Sequence, residues 1–160
     1  MKPDTHVNTK TLGFALLLLA AMMLTACAPK LIRGAAPMVR MTELGHADET
    51  IALQLSMRNV NGVTLDILHI DFSMSVDGNE IIVYKGPVET SIAANGTESW
   101  PVEVEESQSS RELLNKLQNG DVKSLPYALR GTITSKEDGD LHFEYEGHIY
   151  PLPGRPGHFR

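Results

Sequence analysis

The sequence predicts an all-β fold, an antiparallel β-sandwich of the immunoglobulin or fibronectin-III kind with one short helix. Three observations lead there. Apolar residues recur at every second position from Met38 onward, the mark of strands with one buried face. Turn signals separate the alternating runs, Asp77-Gly78-Asn79 and Asn95-Gly96 among them. Only the segment 109–120 spaces its leucines as a helix does. About seven or eight short strands in roughly 115 residues fill two packed sheets. A small closed barrel satisfies the same pattern.

The elements follow in order. Residues 38–44 form a first strand. In 50–58, Ile51, Leu53, Leu55 and Met57 share one face, with Ala52, Gln54, Ser56 and Arg58 opposite. In 65–76 the apolar face is Leu68, Ile70, Phe72, Met74 and Val76, alternating with His69, Asp71, Ser73 and Ser75. The turn at Asp77-Gly78-Asn79 returns the chain along 80–85 as a hairpin. Strands 88–93 and 97–104 flank Asn95-Gly96, read as a second hairpin turn. Leu113, Leu114 and Leu117 define the helix, a serine opens it as N-cap and Gly120 closes it. Residues 124–135 and 141–150 make a last hairpin around 136–140. Beyond it Pro151, Pro153 and Pro156 lack the N–H that a ladder needs, so 151–160 reads as a tail, flexible from 154.

The 160 residues suit one domain, and 42% hydrophobic content is ordinary for a folded chain. A net charge of −6 argues against nucleic acid as a partner. One cysteine excludes an intramolecular disulfide framework and any multi-cysteine zinc site.

That cysteine is informative by its place. A polar start carrying Lys2, His6 and Lys10 precedes thirteen uncharged residues, 12–24. This is short of the roughly 20 apolar residues that span a bilayer and fits the apolar core of a signal peptide. Leu24-Thr25-Ala26-Cys27 resembles the lipobox of bacterial lipoproteins. The resemblance implies cleavage before Cys27 and lipidation of its thiol. Ala28 rather than Asp implies sorting to the outer membrane. The expected divisions are a signal peptide at 1–26, a lipidated tether at 27–37, a β-sandwich at 38–153 and the tail at 154–160. Cleavage removes Lys2, Lys10 and Asp4, leaving 134 residues with 12 basic and 19 acidic side chains, a charge of −7.

The run Thr50 to Asn61 resembles the early strand of the late embryogenesis abundant type 2 family, also called the water-stress and hypersensitive-response domain. Both asparagines of that family's Asn-Pro-Asn-like turn stand here as Asn59 and Asn61, with Val60 between them. The stretch 70–79 is similar to its next strand and hairpin, and 125–133 with 147–153 to its closing hairpin. The resemblance covers 38–153. It implies a folded fibronectin-like sandwich, frequent occurrence as a bacterial lipoprotein, a link to desiccation and other stress, and no catalytic residues.

Several constellations carry residue types suited to chemistry. His142, Glu144, Glu146 and His148 share a strand face and carry metal-ligand chemistry. Same-face residues on a strand advance by ~6.6 Å per step, so the two histidines stand about 20 Å apart and the face reads as solvated. His69 and Asp71 beside Ser73 have the residue types of a nucleophilic triad, but no Gly-x-Ser-x-Gly elbow is present. Glu103, Glu105 and Glu106 read as a solvated sheet edge. Asn95-Gly96-Thr97 matches a glycosylation acceptor and reads better as a turn, and Trp100 reads as partly buried packing. The site therefore reduces to lipidation at Cys27, with no catalytic residue, metal or cofactor. The expected function is a non-enzymatic lipoprotein on the periplasmic side of the outer membrane. It protects against envelope or desiccation stress by binding proteins or solutes. The alternative is a structural accessory lipoprotein of an envelope transport or assembly complex. The expected partners are the membrane, through the anchor, and envelope proteins.

Overall fold

A computed structural model describes residues 32–160. Eight strands and one helix run in the order β1 (Met38–Ala47), β2 (Thr50–Arg58), β3 (Leu65–Val76), β4 (Asn79–Ile92), β5 (Thr97–Glu105), α1 (Gln108–Gln118), β6 (Leu125–Ser135), β7 (Gly139–Ile149) and β8 (His158–Phe159). They form two antiparallel sheets, β5-β2-β1-β8 and β4-β3-β6-β7. The chain changes sheet after β2, after β4, through α1 and after β7, while the pairs β1-β2, β3-β4 and β6-β7 each stay within one layer. This is the expected sandwich rather than a closed barrel.

The period-two pattern becomes the core. Ile51, Leu53, Leu55 and Met57 of β2 face Ile70, Phe72, Met74 and Val76 of β3, all at most 2% exposed. Each such side chain stabilises the fold by about 1.5–3 kcal/mol. In β3 the phase slips near its start. Ile67 pairs with Ser135 and His69 with Thr134, leaving Leu68 as an inserted residue opposite β6. The bulge turns Leu68 outward, 44% exposed, and buries Ile67 in its place, which corrects the expected face.

Two further expectations change. Residues 80–85 and 88–93 are one strand, because β4 crosses Gly86-Pro87 without a break. It is an edge strand, where the missing proline N–H faces solvent, and it absorbs the bulge at Val88-Glu89, with Glu89 at φ 45°. Pro101 of β5 is tolerated on an edge for the same reason. The turn at Asn95-Gly96 is not a hairpin, because β4 and β5 lie in different sheets. Gly96 N–H closes on Ala93 O at 2.8 Å, but the turn's other bonds run to the β2–β3 loop: Asn95 N–H to Asn61 O (3.1 Å) and Asn59 N–H to Gly96 O (2.9 Å). Asp77-Gly78, by contrast, forms the expected hairpin turn, with φ of 50° and 76°.

The helix is capped at least two residues earlier than expected. Ser107 caps it, its Oγ accepting Ser110 N–H at 3.1 Å. At the other end Gly120 (φ 81°) donates to Leu117 O and Asp121 to Lys116 O, the paired bonds that only a left-handed residue permits. Leu114 and Leu117 are buried in the core.

Residues 151–160 are not a tail outside the sheets. The prolines prevent a long ladder, yet His158 pairs with Gly45 and Phe159 with Leu44, extending the first sheet as β8. Phe159 is fully buried. Leu152 N–H donates to His158 O at 2.8 Å, and His46 N–H to Gly157 O at 2.8 Å, so the segment folds back on itself and onto β1.

Burial also shifts one titration. Tyr127 of β6 is buried beside Tyr145, with ring centroids 6.0 Å apart. Its hydroxyl is pushed up to about 12, chiefly by burial, with Tyr145 adding and Arg40 opposing. The folded state holds the neutral phenol more firmly than the unfolded chain, whose tyrosines ionise near 10. The resulting stabilisation is complete below pH ~10 and disappears as pH rises towards 12. Urea unfolding at pH 9 to 11.5 should show a steeper alkaline loss in wild type than in Tyr127→Phe. Identical slopes would exclude Tyr127 as its source.

Candidate functional site

Cys27, the expected lipidation site, lies outside the described residues. The other residues singled out in the sequence sit mostly on the outer face of the β4-β3-β6-β7 sheet. There β7 presents His142, Glu144, Glu146 and His148 to solvent while Leu141, Phe143 and Ile149 are buried. The four polar side chains do not converge. Arg130 of the neighbouring β6 takes both carboxylates, Glu144 Oε1 at 2.5 Å and Glu146 Oε1 at 3.3 Å. These bonds raise the Arg130 pKa, the hydrogen bond to Glu144 contributing most. His142 Nδ1 instead meets Thr132 Oγ1 at 2.8 Å.

The register brings together residues that the sequence kept apart. Asp71 pairs with Lys85 on one side and Thr132 on the other, and Thr132 pairs with His142. A row across four strands results, and His69, Asp71, Lys85, Thr132, Asp140 and His142 line one shallow hollow of about 340 Å³. Its carboxylates each have a partner within the sheet. Lys85 Nζ donates to Asp71 Oδ2 at 2.8 Å, which raises the lysine pKa through that hydrogen bond first and Coulomb attraction second. Thr134 Oγ1 donates to Asp140 Oδ1 at 2.8 Å. Ser73 stands one step along β3, and among the described residues no hydrogen bond joins it to His69 or Asp71. With Asp71 held by Lys85, the nucleophile–base contact of a triad is missing. No group of three or more His, Cys, Asp or Glu side chains among the described residues is arranged to hold a metal ion. The hollow can offer hydrogen bonds and charged groups to a polar partner.

The acidic trio behaves unequally. Glu103 and Glu105 are exposed on β5, as expected. Glu106 is not: its side chain is 2% exposed, clasped by His46 Nδ1 at 2.9 Å and Arg111 Nε at 2.9 Å. Arg111 also reaches Glu49 at 3.4 Å, and its pKa is raised mainly by the Glu106 hydrogen bond. This clasp ties the β1–β2 turn to the start of α1. Trp100 is half-buried and meets Tyr84 edge to face at 5.2 Å.

The largest polar feature that sequence reasoning missed is internal. Asn59 and Asn61 are fully buried. Asn59 Nδ2 donates to Val63 O (2.7 Å), Ile92 O and Ala93 O (both 3.1 Å), and its Oδ1 accepts from Asn61 N (2.9 Å) and Nδ2 (3.0 Å). Asn61 then exchanges two bonds with Ala35, each 2.9 Å. One knot of amides thus joins the segment before β1, the β2–β3 loop and the sheet-crossing turn.

A sequence model of the late embryogenesis abundant protein family matches residues 54–147, from the middle of β2 to the end of β7. The chain belongs to the late embryogenesis abundant family. The buried asparagine pair therefore marks one corner of the LEA sandwich, and the matched span contains the hollow and α1. No curated protein matches this LEA chain. Among solved structures, that of a protein from Arabidopsis thaliana is 18% identical, over 82% of this chain and 93% of its own, with a TM-score of 0.49. A solution structure of a late embryogenesis abundant (LEA) protein is 15% identical, over 98% and 97%, at 0.44. A crystal structure of a protein from Archaeoglobus fulgidus is 15% identical, over 71% and 95%, at 0.42. The family assignment rests on the sequence match.

Proposed function

We propose that this LEA protein is a lipid-anchored stress-protection module of the cell envelope, acting by contact rather than catalysis. Family membership over 94 of the 160 residues, 54–147, is the observation that carries the stress-related, non-catalytic part. The anchored part is supported by the sequence alone, by thirteen uncharged residues ending at Leu24-Thr25-Ala26-Cys27. Two or more acyl chains at Cys27 make membrane attachment stable, each buried methylene contributing about 0.8 kcal/mol. The attached domain stands on the periplasmic side of the outer membrane. It offers its polar hollow, its loops and an acidic surface to envelope proteins or solutes.

Cys27→Ala should stop maturation and release the protein from the membrane fraction. Fatty-acid labelling followed by fractionation reads both, and continued labelling of the variant would refute the anchor. Survival of a deletion strain after drying tests the protective role. Unchanged survival would remove it.

A further inference from the structure

We infer that the end of the β5-β2-β1 outer face nearest residue 38 carries a phosphate-binding hollow built on Arg40 and Arg58. The register sets it up. Met38 pairs with Arg58, and Arg40 with Ser56, so the two arginines are diagonal cross-strand neighbours on one face. Their Cβ atoms are then about 7–8 Å apart or less, within reach of one oxyanion placed between the guanidinium forks. Both are exposed, and they line a hollow of about 250 Å³ with Ser56, Asn95 and Thr97, which supply hydroxyl and amide donors, and with Met38.

Charge supports an anion there. The LEA chain is acidic, at −6, yet no acid lines this hollow. Arg111, Arg130 and Arg155 each pair with a carboxylate, whereas Arg40 and Arg58 make no ion pair among the described residues. Two guanidiniums side by side repel, and a shared phosphate removes that repulsion. Farther along the same sheet face Glu43 and Glu103 line a separate hollow, where Glu43 is already held by Arg155 at 3.0 Å and His158 at 2.9 Å.

Phosphate oxygens of this chemistry come from lipid headgroups or from free phosphate. The proposed anchor bears on the first source, and to that extent the inference rests on it. Four residues, 28–31, separate Cys27 from the described chain, and the five steps from Cys27 to Ile32 reach at most about 18 Å. Met38 is 56% exposed at the rim and matches the apolar side of an interfacial layer.

The test uses the full chain in a neutral, phosphate-free detergent, titrated with inorganic phosphate and separately with glycerophosphoglycerol, a headgroup diester, and followed by 31P line broadening. Wild type should bind, more weakly as salt rises. Arg40→Gln and Arg58→Gln should each weaken binding about tenfold, and the double variant should abolish it. Arg130→Gln, whose guanidinium is already paired, should leave it unchanged. Arg→Lys at positions 40 and 58 keeps the charge but not the fork and should give an intermediate loss. Tighter binding of the diester assigns the hollow to lipid headgroups, and tighter binding of phosphate to the free ion. No binding of either probe, or wild-type binding by a folded double variant, overturns the inference. A Cys27→Ala chain that still binds phosphate leaves the hollow standing even where the anchor fails.

Discussion

Replacing Asn59 by alanine is expected to destabilise the domain by about 4 kcal/mol, among the largest losses available to a single polar side chain here. The reason is the number of groups it leaves behind. Asn59 Nδ2 serves the carbonyls of Val63, Ile92 and Ala93, and its Oδ1 holds Asn61 by both main chain and side chain. All of this happens at zero exposure, where water cannot replace the lost partners without opening the corner. Asn59→Asp should be at least as damaging despite its identical shape, because a carboxylate would face three carbonyl oxygens. Asn61→Ala should cost less, since it mainly frees the segment around Ala35. Urea unfolding of the three variants checks the order, and a loss below 1 kcal/mol for Asn59→Ala would refute the knot as a source of stability.

Gly131→Ala should cost about 3 kcal/mol, by crowding rather than by loss. Gly131 pairs with Phe72 on one side and Phe143 on the other, at the centre of the second sheet. An added Cβ would stand 2.4 Å from Asp71 O, 2.6 Å from Phe72 Cβ and 2.8 Å from Phe143 Cζ. The nearest of these is backbone of a paired strand, so relief requires parting β3 from β6. Gly147 of the neighbouring strand offers the contrast. The nearest atoms to its added Cβ all belong to the Tyr127 side chain, from 2.8 Å, and a side chain can swing where backbone cannot. Thermal melts should therefore rank Gly131→Ala well below Gly147→Ala, and the reverse order would show that β3 and β6 are not held as tightly as their register implies.

Much of the sandwich was legible because burial on one face writes itself as alternation. β2 matches its expected bounds, and Ile51, Leu53, Leu55 and Met57 lie where that pattern puts them. What alternation cannot report is an inserted residue. Leu68 is apolar and in phase with its neighbours in sequence, and only the pairing with β6 shows it to be a bulge. Asn95-Gly96 has the composition of a hairpin turn, but composition does not say to which sheet the next strand returns. The bonds to Asn59 and Asn61 decide that. The C-terminal prolines correctly forbid a long strand and say nothing about a two-residue one anchored by Phe159.

Legibility of the site divides in the same way. Strand rise alone separated His142 from His148, and the structure keeps them apart. The clasp on Glu106 was hidden because its histidine, His46, comes sixty residues earlier in the chain. The hollow that gathers His69, Asp71 and His142 depends on a register no single strand contains. Arg58 reads as an ordinary outward residue, and only the β1–β2 pairing sets Arg40 diagonally beside it.

The prolines of the edge strands have a consequence for a domain crowded among copies of itself. As water is withdrawn, molecules are forced together at rising concentration, and sheets with free edges then polymerise by adding strands from neighbours. Here Pro101 interrupts the free edge of β5, and Pro87 with the adjacent bulge interrupts that of β4. Along β1, part of the edge is occupied by the chain's own β8. A neighbour would find no long, regular row of donors and acceptors on these three strands. The β7 edge carries no proline, so strand addition from a neighbour is directed to that side of the second sheet.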